Sequence, residues 1–335
     1  MQINYFLAVD IGKSELYVLL RTRDKILWEG KVENHYSKLK TMFKTLIKEY
    51  GVDPKECLVS MEYTGMYNFH LLLFLNNHHI PAWVIGGQHI KLSLGMQRGK
   101  SDPIDASRIA EYTIRFLDRM ELWIPPRIII SKLKVLLKTR DRLIDSKIRI
   151  ENPIDEMKAF ATASEYRAVK AICQKPIDEM QKAIVAIEKE IKDLLESDEK
   201  IKGMYNKLTS IQGVGFVTSA TFIAETNEFK DFANGKKLAC HSGVAPFSYS
   251  SGKRIGKAHV SKKANLKLKT LLDLGARSAI NCKEGEFKDY YFRQLAEGKP
   301  PMVIRNAIRN KIILRMVALI RNNTTYENNY NLKVA

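Results

Sequence analysis

Long apolar runs, paired cysteines and clustered histidines are all missing from this chain of 335 residues. No stretch is apolar enough and long enough to cross a bilayer, and the richest short run, LLLFL at 71–75, reads as the buried side of a helix. The N-terminal MQINYFLAVDIG lacks a basic leader followed by a long apolar segment, so a secretory signal is not expected and the cytoplasm is. The four cysteines, Cys57, Cys173, Cys240 and Cys282, are scattered without CxxC or Cys/His ligand spacing. That excludes a zinc ribbon or a disulfide framework and leaves reduced core thiols. Adjacent His78 and His79 precede IPAWVIGG and read as a loop rather than a metal pair. Acid is the scarce charge: Lys and Arg number 55 against 37 Asp and Glu, a net +18. Such a balance favours a polyanionic partner through counterion release, with nucleic acid ahead of a membrane surface.

The hydrophobic content of 45% is ordinary for a folded chain, long enough here for two or three domains. YFLAVDIG, LYVLLRTR and ILWEGKVEN read as three meandering strands, followed by a helix over YSKLKTMFKTLIKEY. A strand CLVSMEYTG, a helix around FHLLLFLN and a strand PAWVIGG come next. This order predicts a mixed sheet flanked by helices, which suits a ribonuclease H-like fold and equally an actin-like ATPase. Long charged helices then take over. Ile177, Met180, Ile184, Ile187, Ile191 and Leu194 follow 3,4 spacing, the seam of a coiled coil. Leu133, Leu137, Ile144 and Ile148 repeat it less cleanly until Pro153 is expected to interrupt. A helical hairpin or dimerising arm fits this pattern, and so does a helical bundle within one subunit. The boundaries expected are 1–128, 129–200 and 201–335, the last part being mainly helical.

That third part opens with LTSIQGVGFVTSATFIAE, where Gly213 and Gly215 separate two helical patterns. A helix-hairpin-helix offering backbone N–H groups to a phosphate fits, and so does an ordinary tight turn. Downstream, SYSSGKRIGKAHVSKKANLKLK carries Lys253, Arg254, Lys257, Lys262, Lys263, Lys267 and Lys269 with no acid among them. A run without compensating acids is suited to phosphate contacts.

Against this basic background, four carboxylates stand out. Asp10 ends the first strand, where burial is costly without a cation. Glu62 ends another strand, just before a Thr64–Gly65 turn. Asp102 and Asp105, in KSDPIDA, lie three apart at a helix start. Asp102 can be a helix N-cap with Pro103 in the first turn, or the pair can face one divalent cation. Four convergent carboxylates repel one another when empty and match two Mg²⁺ ions, which suit phosphodiester chemistry.

The strand-borne Asp10, MEYTG with Glu62, KSDPIDA, and the distal GVAPFSYSSGK…VSKKAN together resemble the DEDD transposases of the insertion sequence 110 family, relatives of Piv-type DNA invertases. The resemblance spans nearly the whole chain in the family's order. It implies an N-terminal RuvC-like domain, a coiled coil and a C-terminal transposase domain. It also implies a recombinase that cuts and rejoins donor and target DNA. Asp10, Glu62, Asp102 and Asp105 would bind Mg²⁺ or Mn²⁺, and Ser251, directly before Gly252, would be the nucleophile, with Ser250 as its rival. Lys253, Arg254, Lys257, Lys262, Lys263 and Lys267, with Gly213 and Gly215, would hold nucleic acid. A noncoding guide RNA and a homodimer or homotetramer are further implications of the resemblance, and neither is visible in composition or spacing. Two departures are mild: Ser101 replaces the commoner threonine of KTD, and Ala264 stands where glycine is usual. An actin-like ATPase would need a second glycine-rich phosphate turn, which IGG at 85–87 is too short to supply. A plain RuvC-like nuclease without serine chemistry and a non-enzymatic basic scaffold are the other readings.

Overall fold

The computed structural model describes residues 2–327 except 94, 96–98, 100, 233, 248–249, 252–253, 257 and 262–263. The chain divides into two compact units, residues 1–125 and 126–335.

The first unit is built on three strands in a meander, β1 (Tyr5–Ile11), β2 (Glu15–Arg21) and β3 (Ile26–Glu33). Then come α1 (Tyr36–Tyr50), β4 (Cys57–Glu62), α2 (Phe69–Asn77), β5 (Ala82–Ile85), α3 (Gly87–Ser93) and α4 (Asp102–Arg115). The sheet order is β3-β2-β1-β4-β5, with β1 antiparallel to β2 and parallel to β4, and β4 parallel to β5. This is the mixed sheet expected of a ribonuclease H-like domain. Strand alternation divides the core between two layers. Leu7, Val9 and Ile11 face the layer of α1 and α2, where Leu39, Phe43, Leu46, Leu71 and Phe74 are buried. Ala8 and Leu58 share a second cluster with Trp83, Ile85 and the α4 residues Ala106, Ile109 and Ala110. The sheet is therefore covered on both faces, which explains why β1 reads as an unbroken apolar run until Asp10.

In the second unit, α5 (Ile128–Phe160) and α6 (Ala163–Glu196) pack together as a helical hairpin. At 33 residues, α5 is about 50 Å long. Thr162 caps α6 through a reciprocal capping box with Glu165. Ile177, Ile184 and Ile191 of the expected seam are buried, and Leu133 and Leu137 of α5 share a core cluster with Ile191. The expected interruption at Pro153 does not occur, since α5 runs through it to Phe160. Proline removes one backbone donor, and the remaining ladder, with α6 packed alongside, suffices to continue the helix. The base of this hairpin joins the second unit's core through Ile130, Leu133, Ile191 and Leu195.

That core is completed by α7 (Glu199–Thr209), α8 (Phe216–Glu225), α9 (Gly235–His241), α10 (Leu266–Ile280), α11 (Glu286–Ala296) and α12 (Pro301–Asn322). Between α9 and α10 lie two short antiparallel pairs. β6 (Pro246–Phe247) pairs with β9 (His259–Val260), and β7 (Ser250–Ser251) pairs with β8 (Arg254–Ile255). No helix among the described residues is long and apolar enough to cross a membrane.

Candidate active site

Asp10 and Glu62 are neighbours by strand register. The parallel pairing of β1 with β4 runs to Val9 opposite Met61, so the next residue of each strand is a carboxylate at the same sheet edge. By alternation, Asp10 shares the face of Ala8, and Glu62 the face of Leu58, which is the face that α4 covers. The α4 helix begins at Asp102, and Ser101 in extended conformation is its N-cap. Asp102 is therefore the first helical residue rather than the cap, and Asp102 and Asp105 both lie in the first turn, where the helix dipole favours them.

Electrostatics ties the four together. Burial, and then the charges of Asp105, Asp102 and Glu62, hold the Asp10 carboxyl above the usual aspartate range. Partial compensation comes from cations: Arg108 donates to Asp105 at 2.8 Å, and Lys31 lies 3.9 Å from Asp102. The donor set, hard oxygens with a surplus of negative charge, fits Mg²⁺ or Mn²⁺. Among the described residues, no three Asp, Glu, His or Cys side chains are close enough as placed to ligate one ion. The charges of Asp105, Asp102 and Glu62 reach Asp10, without a closed coordination shell among the described residues.

Asn68 and Asn34, which no motif marked, and the last glycine of IGG at 85–87 shape this edge. Asn68, fully buried, donates to the Glu62 carbonyl at 2.9 Å and accepts from the backbone N–H and hydroxyl of Thr64. Asn34 donates from one amide group to the Gly12 carbonyl at 3.0 Å and the Tyr67 carbonyl at 2.9 Å. It thereby joins the turn after Asp10 to the turn after Glu62. Gly87 abuts Glu62 so closely that a methyl there would overlap the carboxylate. The Thr-Gly turn signal hinted at Asn68, IGG marked Gly87 only as a phosphate turn too short to serve, and nothing local marks Asn34.

In the second unit, Ser251 pairs with Arg254 and Ser250 with Ile255 across β7 and β8, and Ser250 is exposed. The side chains of Ser251 and Arg254, and Lys253, Lys257, Lys262 and Lys263 altogether, lie outside the described residues. Lys267 donates to Asp141 of α5 at 2.6 Å, so its charge is already engaged. Gly213 adopts a positive φ of 83°, and a methyl there would overlap the Gly275 carbonyl of α10. That glycine meets a packing demand inside the fold. Gly215 caps α8, with open space where a side chain would be.

The first unit is thus a mixed α/β domain with carboxylates gathered at one sheet edge, and the second is a helical unit carrying a basic segment. Comparison with known proteins gives the particular family. Residues 7–157 match a DEDD-type IS110 transposase model, and residues 205–292 match the model described as the IS116/IS110/IS902 transposase family. The chain belongs to this family of transposases, enzymes that cleave and rejoin DNA. It is 22% identical to the insertion element IS116 uncharacterized 44.8 kDa protein of Streptomyces clavuligerus, over 88% of each chain. It is 25% identical to the transposase for insertion sequence element IS1111A of Coxiella burnetii, over 81% of this chain and 79% of that one. Identity to the pilin gene-inverting protein of Moraxella bovis is 26%, over 80% and 81%. Among solved structures, Thermus thermophilus RuvC matches 36% of this chain and 99% of its own, at 12% identity and a TM-score of 0.27.

Proposed function

We propose that this transposase cuts DNA at the edge carrying Asp10, Glu62, Asp102 and Asp105, uses Ser251 as nucleophile, and is directed by a noncoding guide RNA. The observation that carries the reading is the strand register that brings Asp10 and Glu62 to one sheet edge, where burial and the charges of Asp105, Asp102 and Glu62 hold the Asp10 carboxyl up. Such an arrangement is unfavourable unless a cation is part of its working state. The four would hold Mg²⁺, which when bound supplies charge neutralisation at a phosphodiester. Ser251 Oγ would attack phosphorus, forming a phosphoserine ester as the bond to the leaving deoxyribose oxygen breaks, with the serine's proton ending on that oxygen. Attack by the hydroxyl of an incoming strand reverses the exchange without ATP. Arg254, Lys253, Lys257, Lys262 and Lys263 would neutralise backbone phosphates, and Gly215 at the α8 N-terminus would admit one more. Guide pairing would read sequence while the protein grips backbone and duplex shape. A homodimer or homotetramer, acting on donor and target DNA, would be the working assembly.

The test is joining of donor and target plasmids in Mg²⁺, with the element's flanking noncoding RNA present or omitted. Asp10→Asn is expected to lower strand cleavage by about a thousandfold or more while nucleic-acid binding persists. Ser251→Ala is expected to abolish joining. Joining that survives Ser251→Ala moves the nucleophile to Ser250 or water, and joining that is indifferent to RNA removes the guide. Unchanged cleavage by Asp10→Asn removes the metal site.

A further inference from the structure

Between Glu62 and α2 the chain turns large apolar side chains outward. Tyr63 is 62% exposed, Met66 73%, Tyr67 39% and Phe69 60%. Single exposed hydrophobics are ordinary, whereas several on one short segment mark a binding surface. The segment is not a loose loop. Between Tyr67 and Phe69, both outward, Asn68 is fully buried and holds the Glu62 carbonyl and Thr64. Gly65, at φ +76°, permits the bend. The exposure is therefore built into a fixed turn, and a ligand that settles on it orders little that is not already ordered.

The position of this turn restricts what can occupy it. Tyr63 directly follows Glu62, and the Tyr67 carbonyl shares Asn34 with the Gly12 carbonyl, two residues beyond Asp10. Carboxylate edge and aromatic surface thus belong to one hydrogen-bonded frame. A bulky apolar protein face seated here would cover the edge that must admit a DNA strand. The strand itself would not, because its bases are flat, apolar on both faces and spaced along the same backbone that presents the phosphodiester. Lys13, exposed and without an ion pair among the described residues, follows Gly12 in the same turn and can meet a phosphate there. A ledge of π faces beside a cation suits an unpaired strand.

We infer that Tyr63 and Phe69, flanked by Met66 and Tyr67, form a stacking ledge for unpaired bases of the DNA strand that the carboxylates receive. The inference rests on reading that edge as the cleavage site, and it adds a base-holding surface to it. Two aromatic faces would keep the strand splayed at the scissile position, a role that neither the carboxylates nor the basic residues of the second unit can perform.

The experiment uses the full chain in EDTA, so that binding is read without cleavage. Fluorescence anisotropy compares a labelled oligothymidylate with an abasic oligodeoxynucleotide of the same length, which has the same phosphate charge and no bases. The parent is expected to prefer the thymidylate, and Tyr63→Leu with Phe69→Leu to weaken thymidylate binding about tenfold while abasic binding and Tm stay unchanged. Leucine keeps apolar surface and removes the π face. Phe69→Trp is expected to retain the preference. Equal thymidylate binding by parent and leucine variant overturns the ledge, as does a base preference confined to oligouridylate. A leucine variant that changes self-association in sedimentation but not base preference assigns the surface to a protein partner and also overturns it. The companion reading fails separately. Normal cleavage by Asp10→Asn in Mg²⁺ removes the cleavage edge while leaving the EDTA result standing, and base indifference with an inactive Asp10→Asn removes the ledge alone.

Discussion

The Glu62 carboxylate lies against Gly87, the last glycine of the IGG run at 85–87. Gly87 opens α3, and the carboxylate occupies the space a Cβ would take. The obstructing atoms are the far end of a flexible side chain, so Gly87→Ala displaces Glu62 rather than the fold. We expect cleavage by Gly87→Ala to fall at least about tenfold, with unfolding free energy within about 0.5 kcal/mol of the parent. Parallel cleavage assays and urea titrations check this, and a large loss of stability with normal cleavage would contradict it. Gly12 illustrates the opposite case, because a methyl there would overlap the backbone carbonyl of Glu15, which cannot swing away.

The element with the largest local demand is the connection after α8. Asn227, Glu228 and Phe229 are consecutive non-glycine residues in the left-handed region, at φ 49°, 60° and 62°. Each such residue costs on the order of 1–3 kcal/mol and persists only when its surroundings fix it. Here the Glu228 carboxylate, fully buried, accepts from Arg127 at 2.6 Å and from Lys230 at 2.6 Å. Arg127, the residue before α5, also grips both oxygens of Asp198, the N-cap of α7. The clamp thus ties the start of the long hairpin to two other elements. Arg127 and Lys230 are partly exposed and Arg127 keeps Asp198, so Glu228→Ala removes charge-assisted hydrogen bonds without stranding a buried charge and should cost about 1.5–3 kcal/mol in urea unfolding at neutral pH. Burial pushes the Glu228 carboxyl up, but hydrogen bonds from Arg127 and Lys230 outweigh it and hold the group below the usual glutamate range. Its contribution is present above that range and lost as pH falls through its folded value. Urea unfolding of Glu228→Gln should accordingly show a flatter acid limb than the parent, and an unchanged acid limb would sink the assignment.

For the whole molecule, the +18 net charge and the carboxylate edge pull in opposite directions. Long-range attraction brings a polyanion to the protein, while the edge where chemistry is proposed repels it until a cation is bound. Nucleic-acid affinity should therefore be strongly salt-dependent. A footprint neutralising six or more phosphates would lose about a thousandfold between 50 and 200 mM salt. Binding titrations over that range check it, and a flat response would mean that basic residues do not dominate the contact.

The strands of the first unit, its central helices and the apolar seam of the hairpin were legible in sequence because period 2 and period 3.6 report which face is buried. α1 matches its expected span, β4 ends at Glu62, and β1 runs one residue past Asp10 to Ile11. Pro153 was misleading because a single missing donor is a local signal, while the facing helix that carries α5 past it is not local. Register was equally out of reach: only pairing in space puts Asp10 beside Glu62 and lays the first turn of α4 near both. Asn34, Asn68 and Gly87 carry no periodic signature, since their value lies in distances to residues far along the chain. Sequence by itself determined the element types and the charge of the partner, because both follow from residue chemistry and spacing. Tertiary structure alone decided which strand ends meet and what holds them, because hydrogen bonds and repulsion act across space rather than along the chain.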